Sequence, residues 1–154
     1  MKEFLLKPLS TSDINACLNK YKHFKGTFPA DGVFFNNSKQ LQFYVINTEK
    51  HTESGEHWTA LVIEQKNKVL FFNSFGVQLL NIDILRQMEK QGVKKYIYSS
   101  QQIQPLTSDA CGFYCIAFII AYHNNISYSN FIEMFSSSMK GNDEICYKFI
   151  SKFI

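Results

Sequence analysis

The sequence predicts an α+β fold in which helices flank a central, mostly antiparallel sheet. A strand–turn–strand pattern spans residues 57–72, and helical spacing of apolar residues recurs towards both chain ends. Helices gathered at both ends of a central group of strands are typical of this class. With 154 residues, 45% of them apolar, the chain is long enough to bury a core, and residues 1–154 are predicted to form a single domain.

The N-terminal half is predicted to contain one helix followed by three strands. Ser10, followed three residues later by Asp13, resembles a capping box, so the helix is expected to run from there to about Tyr21. Two glycines and a proline predict that residues 26–32 are irregular. Strands are predicted at residues 41–47, 57–63 and 69–72, the last two as a β-hairpin, with a polar surface loop at 48–56.

The C-terminal half is predicted to be mainly helical. Residues 81–92 have helical apolar spacing and end on a glycine, whereas residues 95–99 indicate a strand. A polar loop at 100–109 leads into the most apolar segment, Cys111 to about His123, which is too short to span a bilayer and suits a buried helix. Two more helices are expected at residues 128–135 and 143–153.

Charge and cysteine content narrow the class of protein. The net charge of +3 is small and carried mostly by lysines, so it does not indicate nucleic-acid or membrane binding. The N-terminus lacks the long apolar segment of a signal peptide. The cysteines do not have the spacing of a disulfide-rich scaffold, so reduced thiols in a cytosolic or nuclear compartment are expected for Cys17, Cys111, Cys115 and Cys146.

Cys111 is the candidate nucleophile, because it stands where the polar loop enters the apolar helix. Unpaired N–H groups and the helix macrodipole at that position favour the thiolate, which is the nucleophilic form. Gly112 is expected to let a substrate backbone approach closely. The alternative is a cysteine that merely packs, and that interpretation is preferred for Cys115, one turn further along the helix.

A thiol nucleophile needs a base, and His57 is the strongest candidate among the histidines. It opens a strand beside a loop, whereas His23 and His51 lie in polar segments and His123 lies about three turns along the cysteine's own helix. Asn73 closes the second hairpin strand, within a residue or two of the position opposite His57, and an amide there can orient the ring. The alternative is that Asn73 is an ordinary turn residue.

The oxyanion formed in acyl transfer needs hydrogen-bond donors, and the backbone N–H of Cys111 is one. Gln104, in the loop before the helix, is a candidate for the second. Trp58 is expected either to line the substrate cleft or to be a core aromatic. Cys111, Cys115 and His123 provide only a partial ligand set for zinc, so neither a metal nor another cofactor is predicted.

These motifs, taken in order, resemble those of the adenain family, which is related to the ubiquitin-like-protein proteases. The correspondence also includes residues 25–28 and 44–48, so it covers roughly residues 20–120. The motif residues are Gly55-Glu56-His57-Trp58, Phe72-Asn73-Ser74-Phe75-Gly76, and Gln104 seven residues before Cys111-Gly112. The resemblance implies a papain-like arrangement of the site in the chain order His57, Asn73, Gln104, Cys111.

The resemblance also implies a function. It predicts a cysteine endopeptidase from a DNA virus, virophage or Polinton-like element that processes capsid or core precursor proteins during virion maturation. Such an enzyme would act as a monomer in the virion and in the reducing compartments of the infected cell, without membrane binding and with DNA as an activator.

Two features depart from the family pattern. Asn73 stands where adenain has Glu and its relatives usually have Asp, and residues 93–104 contain no cysteine to match the family's disulfide-linked activating peptide. An uncharged partner stabilises an imidazolium less than a carboxylate does. Two alternatives therefore stay open: a deubiquitinase or SUMO-type isopeptidase acting on host proteins, and a catalytically inactive binding module.

Overall fold

The predicted α+β fold is confirmed by a computed structural model, which describes residues 7–32, 40–48, 57–65, 68–93 and 95–154. In that part of the chain five strands form one sheet, and helices pack on both of its faces. The elements in chain order are α1 (Thr11–Leu18), β1 (Phe24–Phe28), β2 (Gln42–Asn47), β3 (Trp58–Gln65), β4 (Lys68–Phe72), α2 (Ile82–Lys90), β5 (Tyr96–Tyr98), α3 (Cys111–His123), α4 (Tyr128–Glu133) and α5 (Asn142–Ser151).

The strands lie in chain order across the sheet, and its pairing is mixed. The pairs β2–β3 and β3–β4 are antiparallel, whereas the two edge pairs, β1–β2 and β4–β5, are parallel. The centre of the sheet is therefore antiparallel as predicted, and parallel pairing is confined to its edges. Parallel neighbours require a crossover connection, and α2 provides one between β4 and β5.

Strand β1 was missed by the sequence prediction, which treats residues 26–32 as irregular. Gly26 has a φ of 131°, and the register of β1 against β2 shifts between Phe24 and Gly26. Such a bulge explains why a glycine, normally a sign of a loop, lies inside a strand.

Two apolar cores lie on opposite faces of the sheet, because successive side chains of a strand point to opposite sides. On one face, Phe43 and Val62 belong to a large core with α1, α3, α4 and α5. On the other face, Tyr44 and Leu61 pack with α2. Helix α3 has 10 of its 13 residues buried, so it lies inside the large core as predicted from its uniformly apolar sequence.

The remaining predicted elements are confirmed with small changes in their ends. Ser10 and Asp13 form a reciprocal capping box at α1. The side chain of Asn81 caps α2, and α4 and α5 are each shorter than predicted. The predicted loop at 48–56 lies outside the described residues except for Thr48.

The fold places the ends of two strands beside the N-terminus of α3. Because β3 and β4 are antiparallel, the start of β3 and the end of β4 lie at the same side of the sheet, here called its active-site edge. Helix α3 packs against β3 and begins at that edge, where the sulfur of Cys111 lies beside the backbone of Trp58. The candidate residues of the hairpin and of the helix therefore meet there.

Candidate active site

Cys111 is the first residue of α3, and its side chain is 8% exposed. The preceding residue, Ala110, provides no side-chain cap for the helix. The backbone N–H of Trp58, at the start of β3, donates to the sulfur of Cys111 over 3.4 Å. The sulfur is thus fixed next to the strand residue that follows His57.

Burial is the dominant influence on the thiol of Cys111. It raises the pKa of Cys111 above its ordinary value, while the N–H groups of Trp58, Gly112 and Cys111 itself act in the opposite direction. The helix N-terminus does stabilise a thiolate, as the sequence suggests, but desolvation outweighs it. Burial therefore acts against the thiolate that the helix terminus favours.

His57 is held by Asn73. The Nε2 atom of His57 lies 2.9 Å from Oδ1 of Asn73, and the same Oδ1 accepts the backbone N–H of Phe75 at 2.9 Å. Because an N–H donor requires an oxygen at that position, the Asn73 amide has one orientation only. Nε2 must then carry the ring proton, which leaves the lone pair on Nδ1 available as a base.

The ring of His57 is also held from its face. Phe75 stacks on it with 4.5 Å between ring centroids and 16° between planes. Burial lowers the pKa of His57, and the hydrogen bond that the ring donates to Asn73 raises it by less. Both shifts at the site, on the thiol and on the imidazole, favour the uncharged pair over the ion pair.

The turn after β4 is built on Gly76. Its φ is 74°, and a Cβ placed there would lie 2.5 Å from the carbonyl oxygen of Ser100. Its N–H donates to the carbonyl of Asn73 over 2.8 Å. Only glycine lets this turn sit so close to the loop that leads to Gln104.

Gln104 is 1% exposed, and both ends of its amide are bonded. Its Oε1 accepts the hydroxyl of Ser74 at 2.5 Å, and its Nε2 donates to the carbonyl oxygen of Ser108 at 2.8 Å. One of the two N–H groups on Nε2 is used in this way. The predicted role of Gln104 requires the other N–H group to donate to the oxyanion.

Trp58 and Gly112 both contact the N-terminal segment. The indole N–H of Trp58 donates to the carbonyl of Leu9 over 2.8 Å. Gly112 is buried, and a Cβ built on it would lie 3.0 Å from Cβ of Leu9. The absence of a side chain at Gly112 therefore admits Leu9, and its predicted role towards substrate stays a prediction.

The other cysteines have packing roles. Cys115 and Cys146 are fully buried in the large core, and burial raises their pKa values well above the ordinary value. The interpretation of Cys115 as a packing residue is thereby confirmed. Cys17 is half-buried, burial also raises its pKa, and all four thiols, including Cys111, are free.

The other histidines lie away from the candidate pair. His123 packs edge-on against Tyr21, with 4.7 Å between ring centroids, and His23 against Phe43, with 6.4 Å. His51 lies outside the described residues. Within the described ranges, no three His, Cys, Asp or Glu side chains group closely enough to hold a metal ion.

The structure thus brings the predicted residues His57, Asn73 and Cys111 to one edge of the sheet, with Gln104 tied to Ser74 beside them. Sequence reasoning missed the supporting residues, which are Leu9, Ser74, Phe75 and Ser108. Ser74 and Phe75 directly follow Asn73 in the hairpin motif. This proximity to a candidate site residue was the only sequence feature that pointed to them.

A free thiol at a helix N-terminus and a histidine bonded to an amide are groups that cysteine proteases use. Within that class the family is shown by sequence. Residues 23–142 match the family model of the adenovirus endoprotease, so the chain belongs to the adenovirus endoprotease family and is a cysteine protease of viral type.

Individual relatives come from two groups of viruses. The chain is 23% identical to the protease of porcine adenovirus A serotype 3, with 84% of this chain and 78% of the relative covered. It is 26% identical to the protease of bovine adenovirus 2, with 66% and 56% covered. It is 29% identical to a protein of African swine fever virus named SUMO-1 cysteine protease, with 68% and 40% covered. The chain thus spans only about half the length of several relatives.

Solved structures support the fold. The crystal structure of the African swine fever virus protease matches 95% of this chain and 67% of its own, with a TM-score of 0.64 and 23% identity. The central domain of an uncharacterized protein from Legionella pneumophila matches 95% of both chains, with a TM-score of 0.56 and 11% identity.

None of the helices in the described ranges combines the length and apolar character needed to cross a membrane.

Proposed function

We propose that this chain is an endopeptidase that cleaves capsid or core precursor proteins during virion maturation, with Cys111 as nucleophile and His57 as base. One observation carries the chemistry: Nε2 of His57 is bonded to Asn73, while the sulfur of Cys111 accepts the N–H of the residue after His57. This arrangement directs the basic Nδ1 of His57 away from Asn73. The viral relatives support the choice of substrate class.

The first step is attack by sulfur on the scissile carbonyl. Because burial favours the neutral thiol and neutral imidazole, Nδ1 of His57 takes the proton of Cys111 as the carbon–sulfur bond forms. The carbonyl oxygen becomes an oxyanion, held by the N–H of Cys111 and the second N–H of Gln104 Nε2. A donor of this kind is typically worth about 3 kcal/mol in the transition state.

The second step releases the amine and then the acid. The imidazolium of His57 protonates the leaving amine as the carbon–nitrogen bond breaks, which leaves a thioester on Cys111. Water then attacks the thioester with His57 again as base, and the carboxylic acid and the free thiol are restored. Asn73 keeps a proton on Nε2 of His57 throughout, because the amide oxygen Oδ1 accepts a hydrogen bond and cannot donate one.

Trp58 is proposed to line the cleft beside the nucleophile, since it is only half-buried and its backbone already contacts the sulfur.

DNA is proposed as an activator because of the family resemblance alone. If DNA contacts are few, stimulation of cleavage should fall only gradually as salt is raised.

A SUMO-type isopeptidase is the second candidate, favoured by the African swine fever virus relative, which is named a SUMO-1 cysteine protease. The two functions share their chemistry and differ in substrate. The test is to incubate the purified chain with candidate capsid precursors, and separately with ubiquitin and SUMO carrying a C-terminal fluorophore. Cys111→Ala serves as the control in both assays.

Three outcomes separate the possibilities. Cleavage of precursors that disappears in Cys111→Ala supports the endopeptidase. Release of the fluorophore from SUMO or ubiquitin alone supports the isopeptidase instead. No turnover of any substrate, with or without added DNA, while Cys111 reacts no faster with iodoacetamide than Cys17, would indicate an inactive binding module.

A further inference from the structure

Ser74 is a fully buried polar residue directly after Asn73, at the end of β4. Its polar atoms meet the loop that carries Gln104. The hydroxyl of Ser74 donates to Oε1 of Gln104 at 2.5 Å, and its carbonyl accepts the N–H groups of Ile103 and Gln104 at 3.0 and 3.1 Å. A single residue therefore holds both the backbone and the side chain of the candidate oxyanion donor.

We propose that Ser74 is the positioning residue for the Gln104 amide, so that Asn73 and Ser74 orient the base and the oxyanion donor from adjacent positions. The proposal rests on the proposed function, since it assumes that the reaction passes through an oxyanion. Its test uses a small ester, which any such site can attack, and so does not depend on the natural substrate.

The geometry explains why the hydroxyl matters. The carbonyl oxygen of Ser108 can only accept, so Nε2 of Gln104 must face it, and Oε1 must face Ser74. With these two bonds made, the second N–H of Nε2 has a fixed direction. Without the hydroxyl, Oε1 would be a buried acceptor lacking its partner, and the amide would rotate to find another donor.

Two reagents separate positioning from general structural support. Iodoacetamide alkylates a thiolate by displacement of iodide at a saturated carbon, so no oxyanion forms. With p-nitrophenyl acetate, the sulfur of Cys111 attacks the carbonyl, the thiol proton passes to His57, and an oxyanion forms before p-nitrophenolate leaves. The ratio of acylation rate to alkylation rate at Cys111 therefore reports the oxyanion donor.

The experiment measures both rates at Cys111 by mass spectrometry on the full chain, with Cys111→Ala to identify reaction at other thiols. Gln104→Ala is expected to lower acylation on the order of 10²-fold. Ser74→Ala is expected to lower it about tenfold, with alkylation unchanged within about twofold. In the double variant Ser74→Ala should add nothing to the effect of Gln104→Ala, because it acts through that residue.

A matched pair isolates the hydroxyl. Ser74→Thr and Ser74→Val have nearly the same shape, and only threonine keeps the hydroxyl, so threonine should acylate about tenfold faster than valine. Equal ratios in the two variants would overturn the proposal, as would independent, multiplying effects in the double variant. Wild type that acylates Cys111 no faster than Cys17 would also overturn it. Absence of precursor cleavage with these ratios intact would instead refute only the choice of substrate.

Discussion

Replacing Asn73 by aspartate tests how the site ionises. A carboxylate oxygen would stand where Oδ1 now lies, 2.9 Å from Nε2 of His57 and 2.9 Å from the N–H of Phe75. Both hydrogen bonds persist, so the change adds charge without removing a contact. The negative charge stabilises the imidazolium and raises the pKa of His57, by about one to two units for a contact of this kind.

The limb of the pH–rate profile that shifts distinguishes two mechanisms. In the native site burial lowers the pKa of His57, so the neutral base should persist below its ordinary pKa of about 6.5. Activity that requires neutral His57 is therefore lost only as pH falls below that value. Raising the pKa of His57 in Asn73→Asp should move this acid limb to higher pH by the same one to two units.

A thiolate–imidazolium pair in the resting enzyme would respond at the other limb of the profile. There the acid limb marks ionisation of the thiol beside an imidazolium that is already charged, so the added carboxylate leaves this limb nearly in place. The basic limb, where the imidazolium loses its proton, would move to higher pH instead. The measurement is kcat/KM for a cleaved peptide, or the acylation rate with p-nitrophenyl acetate, from about pH 4 to pH 9. Asn73→Ala is the control, and it should lower the pKa of His57 further because the hydrogen bond that raises it is lost.

A basic limb that moves to higher pH in Asn73→Asp while the acid limb stays in place would refute the neutral-pair mechanism. If neither limb changes in either variant, Asn73 does not orient His57 at all. The rate at optimal pH should fall about tenfold in Asn73→Ala, because one hydrogen bond that fixes the ring is removed.

Two further predictions concern stability and are measured by urea unfolding. Gly76→Ala should destabilise the fold by several kcal/mol, since its Cβ meets the carbonyl of Ser100 at 2.5 Å. Gly92→Ala, with a φ of 78° and open space around it, should cost only about 1 kcal/mol, and equal costs would contradict the steric argument. Trp58→Phe should cost at least about 1 kcal/mol, because the bond to Leu9 is lost together with part of the ring that packs on the large core. No loss there would show that this bond is not needed to hold the segment.

The hairpin and the nucleophile helix could be predicted because their signals are local. Alternating apolar residues mark β3 and β4, and a uniformly apolar segment marks α3, whose bounds match the prediction. Once the hairpin is assigned, antiparallel pairing brings Asn73 near His57 without further information. The pair therefore follows from periodicity and register.

Neither strand β1 nor the direction of β5 could be predicted in the same way. Strand β1 is five residues long and contains Gly26 at a bulge, so its local composition is that of a loop. Parallel pairing is a tertiary property, because it depends on where a crossover places the next strand. The sequence of β5 indicates a strand but carries no mark of its direction.

The supporting contacts of the site were also beyond local patterns. Leu9 contacts Trp58 and Gly112, which lie far from it in the sequence. The Ser74 hydroxyl bonds to Gln104, which lies 30 positions further along the chain. Periodicity carries no information about such pairs. The burial that raises the pKa of Cys111 is likewise invisible in the sequence, which shows the helix terminus but not the extent of desolvation.

The depth of α3 in the large core has a consequence for how the chain can be monitored. Cys115 and Cys146 are fully buried, on α3 and α5 respectively, whereas Cys111 lies at the edge of the same core. Thiol exchange at the two interior positions therefore requires opening of the helices that form that core, while exchange at Cys111 does not. The reaction rates of the three thiols therefore report on two different motions. A change confined to the candidate active site alters the rate at Cys111 alone, whereas loosening of the core also raises the rates at Cys115 and Cys146.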